Sequence, residues 1–100
     1  RKIIIKANAT NNYNLISSDA GKAIHSSADV VVPNAVFSAG DAITLINSSS
    51  SNMSIAQGTN VTMYNSADGS TGNRTLSGKG MATLYWINSS TCYISGAGLS

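Results

Sequence analysis

Residues 72–98 read GNRTLSGKGMATLYWINSSTCYISGAG, and the fold class turns on how this stretch is read. A glycine-punctuated loop (72–80) leads into a strand over 81–87, a polar turn over 88–91, and a second strand beginning at Cys92. Successive side chains of a strand point to opposite faces. Leu84 and Trp86 therefore project one way, Tyr85 and Ile87 the other. A strand that shows water one face alternates apolar with polar residues. This strand is apolar on both faces, so its second face needs a cover besides its own core. We expect Leu84 and Trp86 in the core, and Tyr85, Ile87 and Tyr93 at a subunit interface; exchanging the two faces satisfies the same pattern.

Upstream, the chain is a series of short β-type runs separated by Gly, Asn, Asp and Ser. Residues 3–5 are a β-branched run between Lys2 and Lys6 and read as a first strand. Residues 7–12 are Asn-rich and read as loop. Further strands are expected over 13–17, 23–26, 30–32, 42–47, 52–56 and 61–64, with a flexible turn over 48–51 joining the fifth to its return strand. Asp19-Ala20-Gly21-Lys22 is a turn, and Pro33, which cannot donate to a ladder, ends the 30–32 strand. Phe37 reads as a plug from a loop into the core. About eight to ten short strands with such punctuation are the mark of a compact antiparallel β-sandwich or barrel, all-β, in a single domain. No window sustains a 3.6-residue apolar period, so helix beyond a turn is not expected.

Charged residues make up only 10% of the chain, against 42% hydrophobic. Soluble domains carry roughly 25% charge. Asn and Ser fill the difference, so self-repulsion is weak, which suits a protein built into an assembly as well as it suits a merely neutral surface. The net charge of +2 comes from scattered Lys and Arg, not from the clustered basic face that nucleic acid requires. No stretch approaches the roughly 18–20 apolar residues of a membrane helix. The opening Arg-Lys-Ile-Ile-Ile-Lys has too short an apolar run for a signal peptide, so the chain reads as soluble with no membrane partner.

Catalytic signals are weak. His25 is the single histidine and reads as a polar strand-face residue. Cys92 is the single cysteine, so an intrachain disulfide is impossible, and it reads as a small buried or half-buried side chain. Asp19, Asp29, Asp41 and Asp68 all sit beside turns, where Asp is common for local backbone reasons. One His and one Cys make a poor transition-metal set. The stretch from Gly72 to Gly80 resembles a phosphate loop only loosely: its glycine spacing is wrong and Gly80 follows Lys79 where Ser or Thr should stand. Asn8, Asn47, Asn52, Asn60, Asn73 and Asn88 open Asn-x-Ser/Thr triplets, which a chain this rich in Asn, Ser and Thr makes by chance. We therefore expect no enzyme, no metal and no cofactor.

Asp19–Lys22, Val30–Pro33, the Phe-Ser-Ala-Gly-Asp run 37–41 before Ile-Thr-Leu-Ile-Asn, and the closing hairpin 80–98 with Ser95-Gly96-Ala97-Gly98 occur in an order that resembles a β module of tailed-phage structural proteins. The resemblance covers the chain from about residue 15 onward. It extends both to small head-decoration (cement) proteins and to distal modules of phage fibres. It implies a virion-surface protein made in the host cytoplasm, commonly a homotrimer, and as a cement protein it would bridge capsomers of the major capsid protein. Residues 1–14, a strand plus an Asn-rich stretch, have no counterpart in the module and are expected to form an arm. We expect capsid contact through Arg1, Lys2, Ile3, Ile4, Ile5 and Lys6. That separate first strand favours a free-standing small protein over a module of a longer fibre. The alternative is a fibre tip or fibre module that binds a host receptor or glycan, with Tyr64 and Tyr93 as rings on which a sugar could stack.

Overall fold

The computed structural model describes residues 3–100. Arg1 and Lys2 lie outside the described residues. Ten strands form: β1 (Ile5–Ala9), β2 (Tyr13–Asn14), β3 (Ala23–Ser26), β4 (Val30–Val32), β5 (Ala42–Asn47), β6 (Met53–Gln57), β7 (Thr62–Asn65), β8 (Arg74–Leu76), β9 (Met81–Trp86) and β10 (Thr91–Ser95). One 3₁₀ turn, Ser17–Asp19, is the only helical element among the described residues. Six strands make one sheet in the order β1-β3-β5-β9-β10-β7, and four make a second in the order β2-β4-β6-β8.

Every pair of consecutive strands except β9 and β10 lies in different sheets. A chain that runs along one sheet, crosses, and returns along the other re-enters the first sheet in its original direction. That winding makes β1–β3, β3–β5, β2–β4 and β4–β6 parallel. The expected antiparallel arrangement is therefore corrected to a mixed one: β7–β10 is also parallel, while β5–β9, β9–β10 and β6–β8 are antiparallel. Residues 42–47 and 52–56, read as a strand and its return, do not pair; β5 and β6 belong to different sheets. The hairpin β9–β10 wedges between β5 and β7, so both of its strands are paired on each side within the larger sheet.

Both sheets contribute to one core. Ile24, Ile43, Leu45, Leu84, Trp86 and Ile94 come from the larger sheet, and Val30, Val32, Met53, Ile55 and Leu76 from the smaller. The alternation is plain in β5, where Ile43, Leu45 and Asn47 are buried and Ala42, Thr44 and Ile46 are not. Phe37 does plug the core from a loop, its ring 4.2 Å from that of Trp86. The Trp86 indole N–H is buried without an acceptor among the described residues, a local cost set against the ring's packing on Phe37.

Three local expectations change. The first strand begins at Ile5 and runs through the Asn-rich stretch to Ala9, because pairing with β3 supplies the backbone partners that its composition does not advertise. The second strand stops at Asn14, and the chain turns through Ser17–Asp19. The loop read over 72–80 contains β8, which pairs with β6.

The buried polar residues are Asp19, Ser26, Asn47 and Asn65, and each stands where the chain leaves or approaches a strand to change sheets. A crossing segment has no ladder to satisfy its N–H and C=O groups, so a short polar side chain must do it. Asn47 is the fullest case. Its amide donates its two hydrogens among the carbonyls of Ser51 (2.7 Å), Leu76 (3.0 Å) and Ser77 (3.1 Å), one of them shared, and its oxygen accepts from the Ser49 N–H and Oγ. The turn over 48–51, expected to be flexible, is thus held by hydrogen bonds at both ends. Ser26 Oγ donates to the Ala28 carbonyl and accepts from the Ala28 N–H, and Asn65 Oδ1 accepts from the Ala67 N–H.

Asn47→Ala removes the amide from the buried Leu76 carbonyl and the acceptor from Ser49, while the Ser77 and Ser51 carbonyls keep the Gly80 N–H and the Ser49 hydroxyl. It should cost about 2–4 kcal/mol, a loss of one to three net buried hydrogen bonds. Asn88→Ala, in the exposed hairpin turn, should cost under about 1 kcal/mol. Urea unfolding of the two variants beside the parent protein makes the comparison; equal losses would remove Asn47 from its role as a tie between sheets.

Candidate interaction surfaces

Ile3, Ile4, Ile5, Ile16, Met81, Tyr85, Ile87 and Tyr93 are the large hydrophobic residues left exposed among the described residues. They fall into two groups by their place in the fold. One lies on the closing hairpin, the other on the first winding of the chain.

The hairpin group is built by strand alternation. Ala82, Leu84 and Trp86 point into the core, which turns Met81, Thr83 and Tyr85 outward. In β10, Cys92 and Ile94 point in and Tyr93 and Ser95 out. Register then aligns Tyr64 of β7, Tyr93 of β10, Tyr85 of β9 and Ala42 of β5 in one row across the outer face. Tyr85 is 48% exposed, Ile87 44% and Tyr93 41%. None of β5, β7, β9 and β10 contains a charged residue. Tyr64 and Tyr93 stack on each other, with centroids 5.3 Å apart and planes at 30°. Their facing surfaces are therefore occupied by each other.

The second group belongs to the first winding. Ile3 and Ile4 are 61% and 63% exposed. The Ile4 carbonyl accepts from the Ala23 N–H, which ties the start of the chain to β3. Thus residues 5–14, read as part of an arm, supply β1 and β2 to the two sheets. Lys6 reaches the buried carboxylate of Asp19 at 3.4 Å. Asp19 also accepts from the Tyr13 hydroxyl at 2.9 and 3.1 Å and from the Ile16 N–H at 2.9 Å. Burial, then the Asp19 hydrogen bond and charge, push the Tyr13 hydroxyl up to about 12.

The other carboxylates are committed to backbone. Asp29 accepts from the Ser54 N–H, Asp41 from the Ser38 N–H, and Asp68 from the Ser70 N–H and Oγ. The Ser70 contacts hold the Asp68 carboxyl below its usual range. No group of three or more His, Cys, Asp or Glu is placed to hold a metal ion among the described residues. His25 is half-buried on its strand, and Cys92 is fully buried. The phosphate-loop-like stretch forms only a shallow depression beside Ser77, Gly80 and Ala97, and its Lys79 donates to the Ser48 carbonyl at 2.7 Å. Gly96 has no room for a side chain there: a Cβ would strike the Met81 carbonyl.

Sequence reasoning placed Tyr85 opposite Leu84 and Trp86 by alternation and preferred the tyrosine face as the outer one; the burial pattern selects that face over its exchange. Sequence reasoning missed Met81 and Ile16, whose exposure depends on where β9 begins and β2 ends. No protein-family model matches the chain, and no curated protein matches it.

Burial pushes the Cys92 thiol from 9.0 up to about 12. Native protein at pH 8 should leave a thiol reagent unconsumed, and urea-unfolded protein should consume one equivalent per chain. Both Cys92 and Tyr13 are held protonated by folding. Their contributions are complete below the unfolded values of 9.0 and 10.0 and are lost as pH rises toward about 12. Urea midpoints should therefore fall between pH 9 and pH 12, and Cys92→Ala should flatten the early part of that fall.

Proposed function

We propose that this chain is a virion structural protein of a tailed phage, a homotrimeric capsid decoration (cement) protein that stabilises the head by bridging capsomers. The observation that carries this reading is the uncharged outer face on which Tyr85, Ile87 and Tyr93 stand exposed. Contiguous apolar surface on a small domain marks an association site. An uncharged face can meet a copy of itself without burying charge, and closed cyclic symmetry is the usual outcome. Two packed sheets around one core, read as a β-sandwich, give a rigid platform for that face. The low charge of the chain keeps self-repulsion small within such an assembly.

Attachment to the major capsid protein is assigned to residues 1–6. Ile3, Ile4 and Ile5 are exposed and lie apart from the hairpin in the chain's first winding, so one subunit would carry two apolar surfaces. Bridging requires two surfaces: one for the neighbouring subunit, one for the shell. A standard interface of about 1,600 Å², at about 25 cal/mol per Å², represents tens of kcal/mol gross, most of it offset by ordering costs. Against the receptor-binding alternative, the stacking of Tyr64 on Tyr93 occupies one face of each ring and leaves less ring surface for a sugar.

Light scattering should give about three times the 10.3 kDa chain mass at micromolar concentration. Tyr85→Lys with Tyr93→Lys should return it to one chain mass with the β circular-dichroism signal kept. A parent protein that stays monomeric both in solution and on purified phage heads, or that is absent from virions by mass spectrometry, would overturn the reading.

A further inference from the structure

The two ends of the sheets are finished differently. At the far edges the chain closes its own ladders. Beside β8, the Thr75 N–H and C=O both bond Ser100, and the Ser77 N–H bonds the Gly98 carbonyl. Beside β7, Tyr64 bridges Thr71 and the Asn65 N–H bonds the Ser70 carbonyl. At the near edges, β1 and β2 each have one strand neighbour and no bridge on the other side among the described residues. Both belong to the first winding, so both sheets are open together.

Ile3, Ile4, Ile5 and Ile16 belong to that winding. Between residues 3 and 22 the charged groups are Lys6, Asp19 and Lys22. Asp19 is fully buried, whereas Lys22 donates only to the exposed Ser18 carbonyl and Lys6 keeps part of its surface. With Lys6 paired to Asp19, the open end keeps one unoffset positive charge, on Lys22, beside apolar, β-branched side chains. We infer that this edge accepts an extended β-branched segment of a partner chain, flanked by acidic residues, as an added strand beside β1.

A free edge offers main-chain donors and acceptors for affinity, and the exposed side chains beside it give selectivity. The edge is guarded against its own kind. Its register is irregular between Ile5 and Ala7, and Lys6 sits at that irregularity. Irregular register and an edge lysine are the usual defences against edge-to-edge pairing. Two copies meeting here would bring together two edges that each carry a net positive charge, and like charges across paired strands are destabilising. Docking head to tail is blocked because the far edges are closed. An acid-flanked segment escapes the charge repulsion and the closed far edges, and the irregularity at Lys6 confines its regular pairing to either side of that residue. The inference rests on the proposed attachment role of residues 1–6 and states its chemistry.

The test uses the full chain and a fluorescein-labelled peptide of alternating Val and Thr with Asp at each end. Fluorescence anisotropy should show saturable binding, weakened about tenfold or more (about 1.4 kcal/mol) by Ile4→Lys and, equally, by replacing the peptide's Asp with Lys. Ser66→Lys, in the exposed loop after β7, should leave it unchanged. Hydrogen exchange should slow at the amides of β1 on adding peptide. The inference is overturned by no saturable binding, by equal binding of a backbone N-methylated peptide, by insensitivity to Ile4→Lys, or by protection that falls on β9–β10 instead. Peptide binding without binding to phage heads would refute the attachment role and leave the open edge standing.

Discussion

Crossing between two sheets exposes backbone polar groups at the moment the chain has no strand neighbour. The whole fold depends on meeting that demand, because all but one of its links are such crossings. Asp19, Ser26, Asn47 and Asn65 meet it with side chains that are themselves buried. Gln57 does similar work at the end of β6, its oxygen accepting from the Met63 and Gly72 N–H groups. The composition follows from this. A chain with many crossings needs many short polar side chains, and neutral ones can be buried at far lower cost than charged ones. The abundance of Asn and Ser is thus partly structural, and the low charge is its counterpart.

The second constraint is the position of the closing hairpin. β5 and β7 would be neighbours if the parallel winding simply continued. Instead β9 and β10 lie between them, antiparallel to each other, with β10 parallel to β7. Leu84, Trp86, Cys92 and Ile94 then fill the middle of the core, and Phe37 packs on Trp86. The same alternation that buries these side chains forces Tyr85 and Tyr93 outward. Stability and the exposed apolar face come from one set of strands, so the surface cannot be removed by shifting register without unmaking the core.

Much of the candidate surface was legible because it depends only on the two-residue period. Given β9 and β10, alternation sorts Leu84, Trp86, Cys92 and Ile94 onto one face and Tyr85 and Tyr93 onto the other, and packing on the second sheet turns the first set inward. The open near edge and the exposed isoleucines were half legible: residues 3–5 read as a strand, while the strand itself begins at Ile5 and uses the Asn-rich residues to Ala9. β-propensity is weak evidence against the gain of pairing with an existing strand, and β3 supplied that gain. β8 was hidden in a glycine-rich stretch for the same reason, since its pairing with β6 rather than its composition makes it a strand.

What the residues alone determined is the all-β character, the strand-and-turn punctuation, the plug role of Phe37, and which side chains of the hairpin share a face; which face turns inward was left to the tertiary structure. These rest on local geometry, which a few neighbouring residues carry. Only the tertiary structure decided which strands pair, in which sense, and which edges stay open. Parallel pairing joins residues far apart in the chain through a segment that visits the other sheet, and no local pattern records that detour. The stacking of Tyr64 on Tyr93 and the burial of Asp19 against Lys6 and Tyr13 are products of the same long-range pairing, which is why they appear only once the sheets are assembled.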